Sequence, residues 1–451
     1  MSAVATRVPP SPTGRLHIGT ARTVLFNYLF AKHHGGLFYL RSEDTDKARS
    51  KKEFEEEIVE GLTWLGFTWD KYARQSENVT RHQTLLERLV GEGKAYVSKE
   101  ESKINQGATA EVIRLKNPGQ GVTFRDEVLG DITVDTTDLG DFVIGRSIND
   151  PLYHFAVVVD DWDDGITHVI RGADHISNTP RQILIQEALG APRPIYAHIP
   201  LILDEKRAKL SKRSGATSVM DYKAEGFMPE GLLNYIALLG WNPGGDREDF
   251  TLAELVEAFT LDGVQKGGAA FDREKLLSVN QRWMRKLTDE EYVGRLNDLD
   301  QELDLSNIGK IVPLLKERAQ TFGEAKEMLR GELSFLFAPP TLTKEGLIKK
   351  EPEGREGVAK KGLEAALGAL GALRGDASAE VVKDTLMPLA DAAEPGGKDG
   401  GIRGGRGAVL WALRYALSGA ERSPDPFTII FILGTDEAAS RIRRAIAILE
   451  G

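Results

Sequence analysis

Cysteine is absent from all 451 residues. Disulfides and thiolate zinc ligands are therefore excluded outright. Long apolar runs are missing too: no stretch reaches the roughly 18 residues that a membrane-crossing helix needs. The opening Met1-Ser2-Ala3-Val4-Ala5-Thr6-Arg7 lacks a basic-then-apolar export pattern, so a cytoplasmic protein with no membrane role is expected. Positive charge is not in excess. The formal net charge is −10, so no global field draws nucleic acid, although RNA binding needs only a local basic strip. The Gly-rich segment 396–407 has no Walker-type lysine followed by Ser or Thr, which argues against a second nucleotide site there. It reads either as a loop between helices or as a loop touching RNA phosphates. There is no internal repeat. What remains, 41% hydrophobic and 28% charged residues, is an ordinary globular composition with room for several domains.

Two short segments carry the chemistry. Ser11-Pro12-Thr13-Gly14-Arg15-Leu16-His17-Ile18-Gly19-Thr20 follows a short apolar strand and opens a helical run through Thr23, Leu25, Phe26 and Leu29. A strand, a Gly-bearing turn and a helix N-terminus seat phosphate well, because unpaired N–H groups point outward there. Far downstream, Lys209-Leu210-Ser211-Lys212-Arg213 offers two lysines and a hydroxyl, suited to a mobile clamp on polyphosphate. In that order the pair suggests a nucleotide-activating enzyme.

The chain changes character along its length. Up to about residue 190, apolar stretches at 143–144, 155–159 and 168–170 alternate with helical patterns, the mark of a largely parallel α/β layer. The helix after Ser50 is the clearest: Ser50 and Glu53 fit a capping box, and Phe54, Ile58, Leu62 and Leu65 recur at three- and four-residue steps. Between 93 and 140 short strands alternate with turns, read as an insertion between two halves of a nucleotide fold. From about 191 the pattern turns helical, with Thr251/Glu254 and Thr288/Glu291 as further capping boxes.

These segments resemble the bacterial-type glutamyl-tRNA synthetases, class I aminoacyl-tRNA synthetases. The likeness rests on 7–14, 17–23, Glu43-Asp44-Thr45-Asp46, 157–161, 166–172, Asn178-Thr179-Pro180-Arg181-Gln182 and 209–213, continues through 229–235 and 271–276, and thins out after about 280. Weaker echoes at 414–419 and 441–445 resemble the family's helical C-terminal cage. The implied fold is an α/β Rossmann-type catalytic domain with an inserted α+β acceptor-binding domain, followed by all-α anticodon-binding domains. The expected divisions are 1–92 and 153–190 for the halves of the catalytic domain and 93–152 for the insertion. A stem-contact domain over 191–287 carries the lysine loop, and helical anticodon-binding domains span 288–375 and 376–451.

The resemblance implies activation of L-glutamate by ATP and transfer to the 3′ end of tRNA(Glu), with tRNA(Gln) left open as a second acceptor. Charge building on phosphate oxygens calls for donors aimed there. By resemblance His17, Lys209 and Lys212 are catalytic, and Thr13, Gly19, Asp174, His175 and Ser211 join them around ATP. Magnesium is expected on the ATP phosphates rather than in a protein cage. A lone His17 would be read as a helix cap, and lone lysines as solvated charges. The family's histidine at position 20 is a threonine here.

Glutamine is nearly isosteric with glutamate, so shape cannot separate them, whereas a guanidinium distinguishes a carboxylate from an amide. The resemblance makes Arg7 the γ-carboxylate partner and Arg171 a second cationic wall, with Ser11 and Tyr153 adding hydrogen bonds and Glu43 accepting from the α-ammonium. Asp160-Asp161-Trp162-Asp163-Asp164 lacks calcium-loop spacing and reads as a turn with capping and hydrogen-bond roles. His33-His34 reads as a helix end. Where some relatives carry a cysteine-based zinc site, this chain has 95–100 without cysteine, so no zinc and no other protein metal site is expected. Lys349-Lys350, Lys360-Lys361 and 441–444 are either solvated helix faces or contacts to anticodon-arm phosphates. A monomer is expected. Among rivals, a glutaminyl enzyme would carry β-barrels downstream, a queuosine-modifying relative would end after the catalytic part, and a non-catalytic RNA-binding relative need not retain His17 and both lysines.

Overall fold

The computed structural model describes residues 3–101, 109–210, 218–301, 308–353, 357–373, 377–392 and 405–451. The chain forms two compact units, Met1–Trp283 and Met284–Gly451.

In the first unit, strands β1 (Ala5–Val8), β2 (Leu37–Ser42) and β3 (Lys71–Arg74) form a parallel sheet in that order, with Ala5 opposite Leu37 and Tyr39 opposite Lys71. Helix α1 (Ile18–His33) links β1 to β2, and α2 (Lys52–Trp64) links β2 to β3. Helix α1 buries residues on every side, Ala21, Val24, Leu25, Phe26 and Leu29 among them. Such all-round burial marks a helix enclosed by neighbours rather than a surface one. Helix α2 begins at Lys52 with Lys51 as an uncapped N-cap. The expected Ser50 capping box does not form: the Ser50 N–H goes to Asp46 O, and its buried hydroxyl finds no partner. The Asp46–Ser50 turn, with its own hydrogen bond, shifts the helix start by one residue.

After α3 (Val79–Gly91) come β4 (Ala95–Glu101), β5 (Thr109–Leu115), β6 (Gly121–Asp126), β7 (Gly130–Asp135), β8 (Phe142–Ser147) and β9 (Asp150–Pro151). These do not form one inserted sheet. Strands β4-β5-β8-β9 make an antiparallel sheet, while the β6–β7 hairpin joins the second half of the nucleotide fold. That half runs α4 (Tyr153–Asp163), β10 (His168–Gly172), α5 (Thr179–Leu189) and β11 (Ile195–Ile199), and β11 meets β6 where Tyr196 faces Asp126. The apolar run 155–159, expected to be a strand, lies in helix α4. A short, fully buried apolar run carries no period to separate the two states.

Strands β1 and β10 lie side by side. The Thr167 N–H donates to Ala5 O at 3.0 Å and Asn27 Nδ2 reaches Ile170 O at 2.9 Å. The chain thus grows outward from β1 through β2 to β3, then returns to the other side of β1. This reversal is a topological switch point, where open α/β sheets bind ligands beyond the strand C-termini.

The unit continues with β12 (Ile202–Leu203), α6 (Val219–Ala224), α7 (Pro229–Leu238), α8 (Leu252–Ala258), β13 (Ala269–Ala270) and α9 (Arg273–Lys286). The Thr251/Glu254 capping box forms, and a further one, Ser218/Asp221, starts α6.

The second unit is helical: α10 (Asp289–Leu299), α11 (Val312–Arg318), α12 (Phe322–Arg330), α13 (Lys344–Ile348), α14 (Val358–Leu370), α15 (Ala379–Ala392), α16 (Gly405–Ser418), α17 (Pro426–Leu433) and α18 (Thr435–Glu450). Thr288 and Glu291 cap α10 as expected. Helix α14 packs on α16 at Gly362, where a Cβ would come within 2.6 Å of Val409. Leu363, Ala412, Leu413, Ala416 and Ile442 fill this core. Arg441 is buried, donating to Phe335 O and Leu417 O at 2.8 Å each and to Glu437. It is a structural arginine, and its expected availability to RNA phosphate is corrected. Lys349 pairs with Glu421, and Lys360 with Glu364 and Glu450. In the Gly-rich segment, Lys398 and Arg403 lie outside the described residues.

Candidate active site

A cavity of about 540 Å³ opens at the switch point, beyond Val8 at the end of β1 and Gly172 at the end of β10. Arg7, Ser11, Glu43, Tyr153 and Arg171 line it, as do His17, Gly19, Asp174, His175 and Lys209. Thr13 does not line it. Ser211 and Lys212 lie outside the described residues.

Arg7 is 2% exposed, and its Nε and Nη2 each donate to Asp161 at 3.0 Å. Arg41 donates to the same carboxylate at 2.6 Å and to Asp164 at 3.0 Å. Burial alone would raise the Asp161 carboxyl; Arg7 and Arg41 instead hold it below the usual range. Asp160, one residue before it, accepts from Gln75, Asn78 and His82. The acidic run is therefore the C-terminal part of a helix, not a turn, although its hydrogen-bonding role is as the sequence suggested. Arg41 lies between the two carboxylates, with Nε 3.8 Å from Asp160 and Nη2 2.6 Å from Asp161.

Arg171, 6% exposed, is held differently. Its Nε donates to His198 Nε2 at 3.1 Å, Nη1 to Gln182 Oε1 at 2.7 Å and Nη2 to Thr179 Oγ1 at 2.6 Å. All three acceptors are uncharged side chains, and burial pulls the guanidinium below its usual range. Glu43, in the lining of the same cavity, is buried with Oε1 unpaired. Burial pushes its carboxyl up to about 8, against the pull of Arg41 and Arg7. Ser11 Oγ donates to Glu43 O at 3.1 Å. Tyr153 opens α4, and burial raises its phenol.

His17, also in the lining, is the N-cap of α1, with Nδ1 accepting from the Thr20 N–H at 3.3 Å and Nε2 3.3 Å from Thr20 Oγ1. Capping and cavity lining, set against each other in the sequence, coexist. Gly19 makes room for the ring: a Cβ there would lie 3.1 Å from His17 Nδ1. Lys209 Nζ pairs with Asp174 at 2.7 Å, both lining the cavity, and burial lowers the His175 imidazole.

The sequence profile described as tRNA synthetases class I (E and Q), catalytic domain, matches residues 3–106 and 98–278, and an anticodon binding domain profile matches 281–446. The chain belongs to the class I glutamyl/glutaminyl-tRNA synthetase family. A glutamate tRNA ligase from Elizabethkingia meningosepticum CCUG26117, solved in complex with its amino acid, is 30% identical. It superposes with a TM-score of 0.85, the match covering 99% of this chain and 100% of that one. A glutamate-tRNA synthetase from Elizabethkingia anophelis is also 30% identical, with a TM-score of 0.81 and the same coverage.

Class I synthetases use ATP, and the Rossmann-like catalytic unit with its antiparallel insert and helical anticodon-binding unit is this family's architecture. Among the described residues no group of three His, Cys, Asp or Glu is placed to hold a metal, and no helix is long and apolar enough to cross a membrane. His33 and His34 close α1, their Nδ1 atoms 2.8 Å from Val256 O and 2.9 Å from Phe30 O. The residues that sequence reading passed over are those behind the wall: Arg41, His198, Gln182 and Thr179. The last two stood in a quoted motif, yet nothing local says that they face an arginine eight and eleven residues before them.

Proposed function

We propose that this synthetase activates L-glutamate with ATP to glutamyl-adenylate and transfers it to the 3′ end of tRNA(Glu). The observation that carries this is the pair of arginines at the ends of β1 and β10, one neutralised by Asp161 and one held only by uncharged groups, lining one cavity with Glu43, whose Oε1 is unpaired. A carboxylate side chain fits against the uncompensated cation, and the α-ammonium fits Glu43. Arg7 and Arg171 bind the γ-carboxylate, with Ser11 and Tyr153 around it. The substrate α-carboxylate then attacks the α-phosphorus and pyrophosphate leaves, with His17 and Lys209 donating to the phosphates. Gly19, Asp174 and His175 border the nucleotide. Ser211, Lys212 and Thr13 remain assigned to ATP by motif alone. Magnesium enters on the ATP phosphates in this reading. We read 1–92 with 153–190 as the catalytic halves, 93–152 as the acceptor-end insert, 191–287 as the stem-contact region, and 288–375 and 376–451 as anticodon-binding parts of a cytoplasmic monomer.

Aminoacylation with labelled glutamate, using tRNA(Glu) and tRNA(Gln) in separate reactions, tests the reading. Charging of tRNA(Glu) alone makes the enzyme discriminating; charging of both makes it relaxed. No charging of either, with tRNA still bound, overturns the proposal.

A further inference from the structure

We propose that Asp126 and His198 are a positioning pair for Arg171: Asp126 fixes the His198 tautomer, so that Nε2 stays an acceptor for Arg171 Nε. The inference rests on the reading of Arg171 as a substrate-carboxylate ligand. A guanidinium N–H can only donate, so at 3.1 Å from Arg171 Nε the His198 Nε2 is unprotonated. The proton is then on Nδ1, which lies 2.6 Å from Asp126 Oδ2. The partner of one ring nitrogen sets the state of the other. Both side chains are fully buried.

This arrangement has two consequences. A carboxylate placed directly on Arg171 would orient it equally well but cancel its charge. Setting the imidazole between Asp126 and Arg171 orients the guanidinium while leaving its charge for the ligand. Moreover, Asp126 belongs to the β6–β7 hairpin rather than to the cavity wall. Its Oδ1 also accepts from the Val128 and Leu129 N–H groups at 3.0 and 2.8 Å. The carboxylate that sets the tautomer therefore holds the hairpin turn as well.

The test is glutamate-dependent ATP–pyrophosphate exchange by the full chain with tRNA(Glu) present, comparing His198→Asn, His198→Gln, Asp126→Asn and Asp126→Asn/His198→Gln. Asn keeps a polar group toward Asp126 but withdraws the acceptor from Arg171, whereas Gln can return an oxygen to the Nε2 position. His198→Asn is expected to raise the glutamate KM by about tenfold or more, as loss of one hydrogen bond to a charged group implies, with kcat and the ATP KM within about twofold. His198→Gln recovers most of that loss. Asp126→Asn permits the wrong tautomer and raises the glutamate KM, and adding His198→Gln, which has no tautomer, brings it back. An unchanged glutamate KM in His198→Asn overturns the inference, as do equal losses in the Asn and Gln variants or an uncorrected Asp126→Asn defect in the double variant. If His198→Asn does not fold, the comparison of Asp126→Asn with the double variant decides alone. A wild-type chain that does not activate glutamate would instead overturn the proposed function.

Discussion

Asp161 grips Arg7 with both carboxylate oxygens, one 3.0 Å from Nε and the other 3.0 Å from Nη2. The guanidinium is thereby fixed in plane at the end of β1, and Arg41 shares the same carboxylate at 2.6 Å. Asp161→Asn keeps the volume but leaves the buried Arg7 without its carboxylate, while Arg41 keeps Asp164 at 3.0 Å. Removing one partner of a buried pair costs about 3–5 kcal/mol, so a lower unfolding midpoint for the first unit is expected in denaturant titration. Asp163→Asn is the comparison, because its partner Arg81 lies at the surface and exposed pairs contribute about 0–1 kcal/mol.

Glu43, proposed to accept from the substrate α-ammonium, is expected to titrate on ligand binding. Its carboxyl is raised to about 8 from an ordinary 4.5 by burial, so the native state holds a proton that the unfolded chain has released. The associated stability is full below 4.5 and is lost as pH rises through about 8. An arriving α-ammonium favours the ionised form. Glutamate binding at pH 7 is therefore expected to release a proton, approaching roughly one. Calorimetry in two buffers of different ionisation enthalpy reads this directly. Glu43→Gln abolishes the release, and a buffer-independent heat in the wild type would contradict the assignment.

The legible parts were those written in local pattern. The turn 11–20 and the capping boxes at Thr251 and Thr288 need only neighbours within a few residues, and they form. The wall of the site was half legible. Arg7 and Arg171 sit at strand ends, which the pattern could place, but their partners Asp161 and His198 come from elements 154 and 27 residues away. No spacing rule reaches such pairs. The β6–β7 hairpin was read as part of a separate insertion because its turns look like any other; its pairing with β11 is a tertiary choice. Arg441 misled for the opposite reason. A basic run at helical spacing looks solvated, and nothing local shows that Phe335 and Leu417 present carbonyls to it.

The N-cap role of His17 and the phosphate-donor role proposed for it can be separated by substitution. As N-cap, its Nδ1 accepts from the Thr20 N–H. Asparagine is a preferred N-cap, so His17→Asn should hold stability within about 0.5 kcal/mol while adenylate formation falls by roughly 100- to 1,000-fold. His17→Ala should lose the same rate and about 1 kcal/mol besides. Gly19→Ala drives a methyl against the ring and should lower the rate without removing the imidazole. Pyrophosphate exchange and thermal unfolding of the three variants check the separation; a fully active His17→Asn would leave only the cap.

Arg441 separates folding from RNA contact in the second unit. Its guanidinium donates to two main-chain carbonyls and to Glu437, all on elements of that unit. Arg441→Met keeps the length of the stem but leaves Phe335 O and Leu417 O without this donor. Each unsatisfied buried acceptor costs about 1–3 kcal/mol, so a clear fall in the stability of the second unit is expected. Neutralising a phosphate contact would instead lower the slope of log affinity against log salt by about one. A buried arginine releases no counterions. The tRNA affinity of Arg441→Met, measured on the folded fraction at several salt concentrations, should therefore parallel that of the wild type. A shallower slope would return Arg441 to the RNA surface.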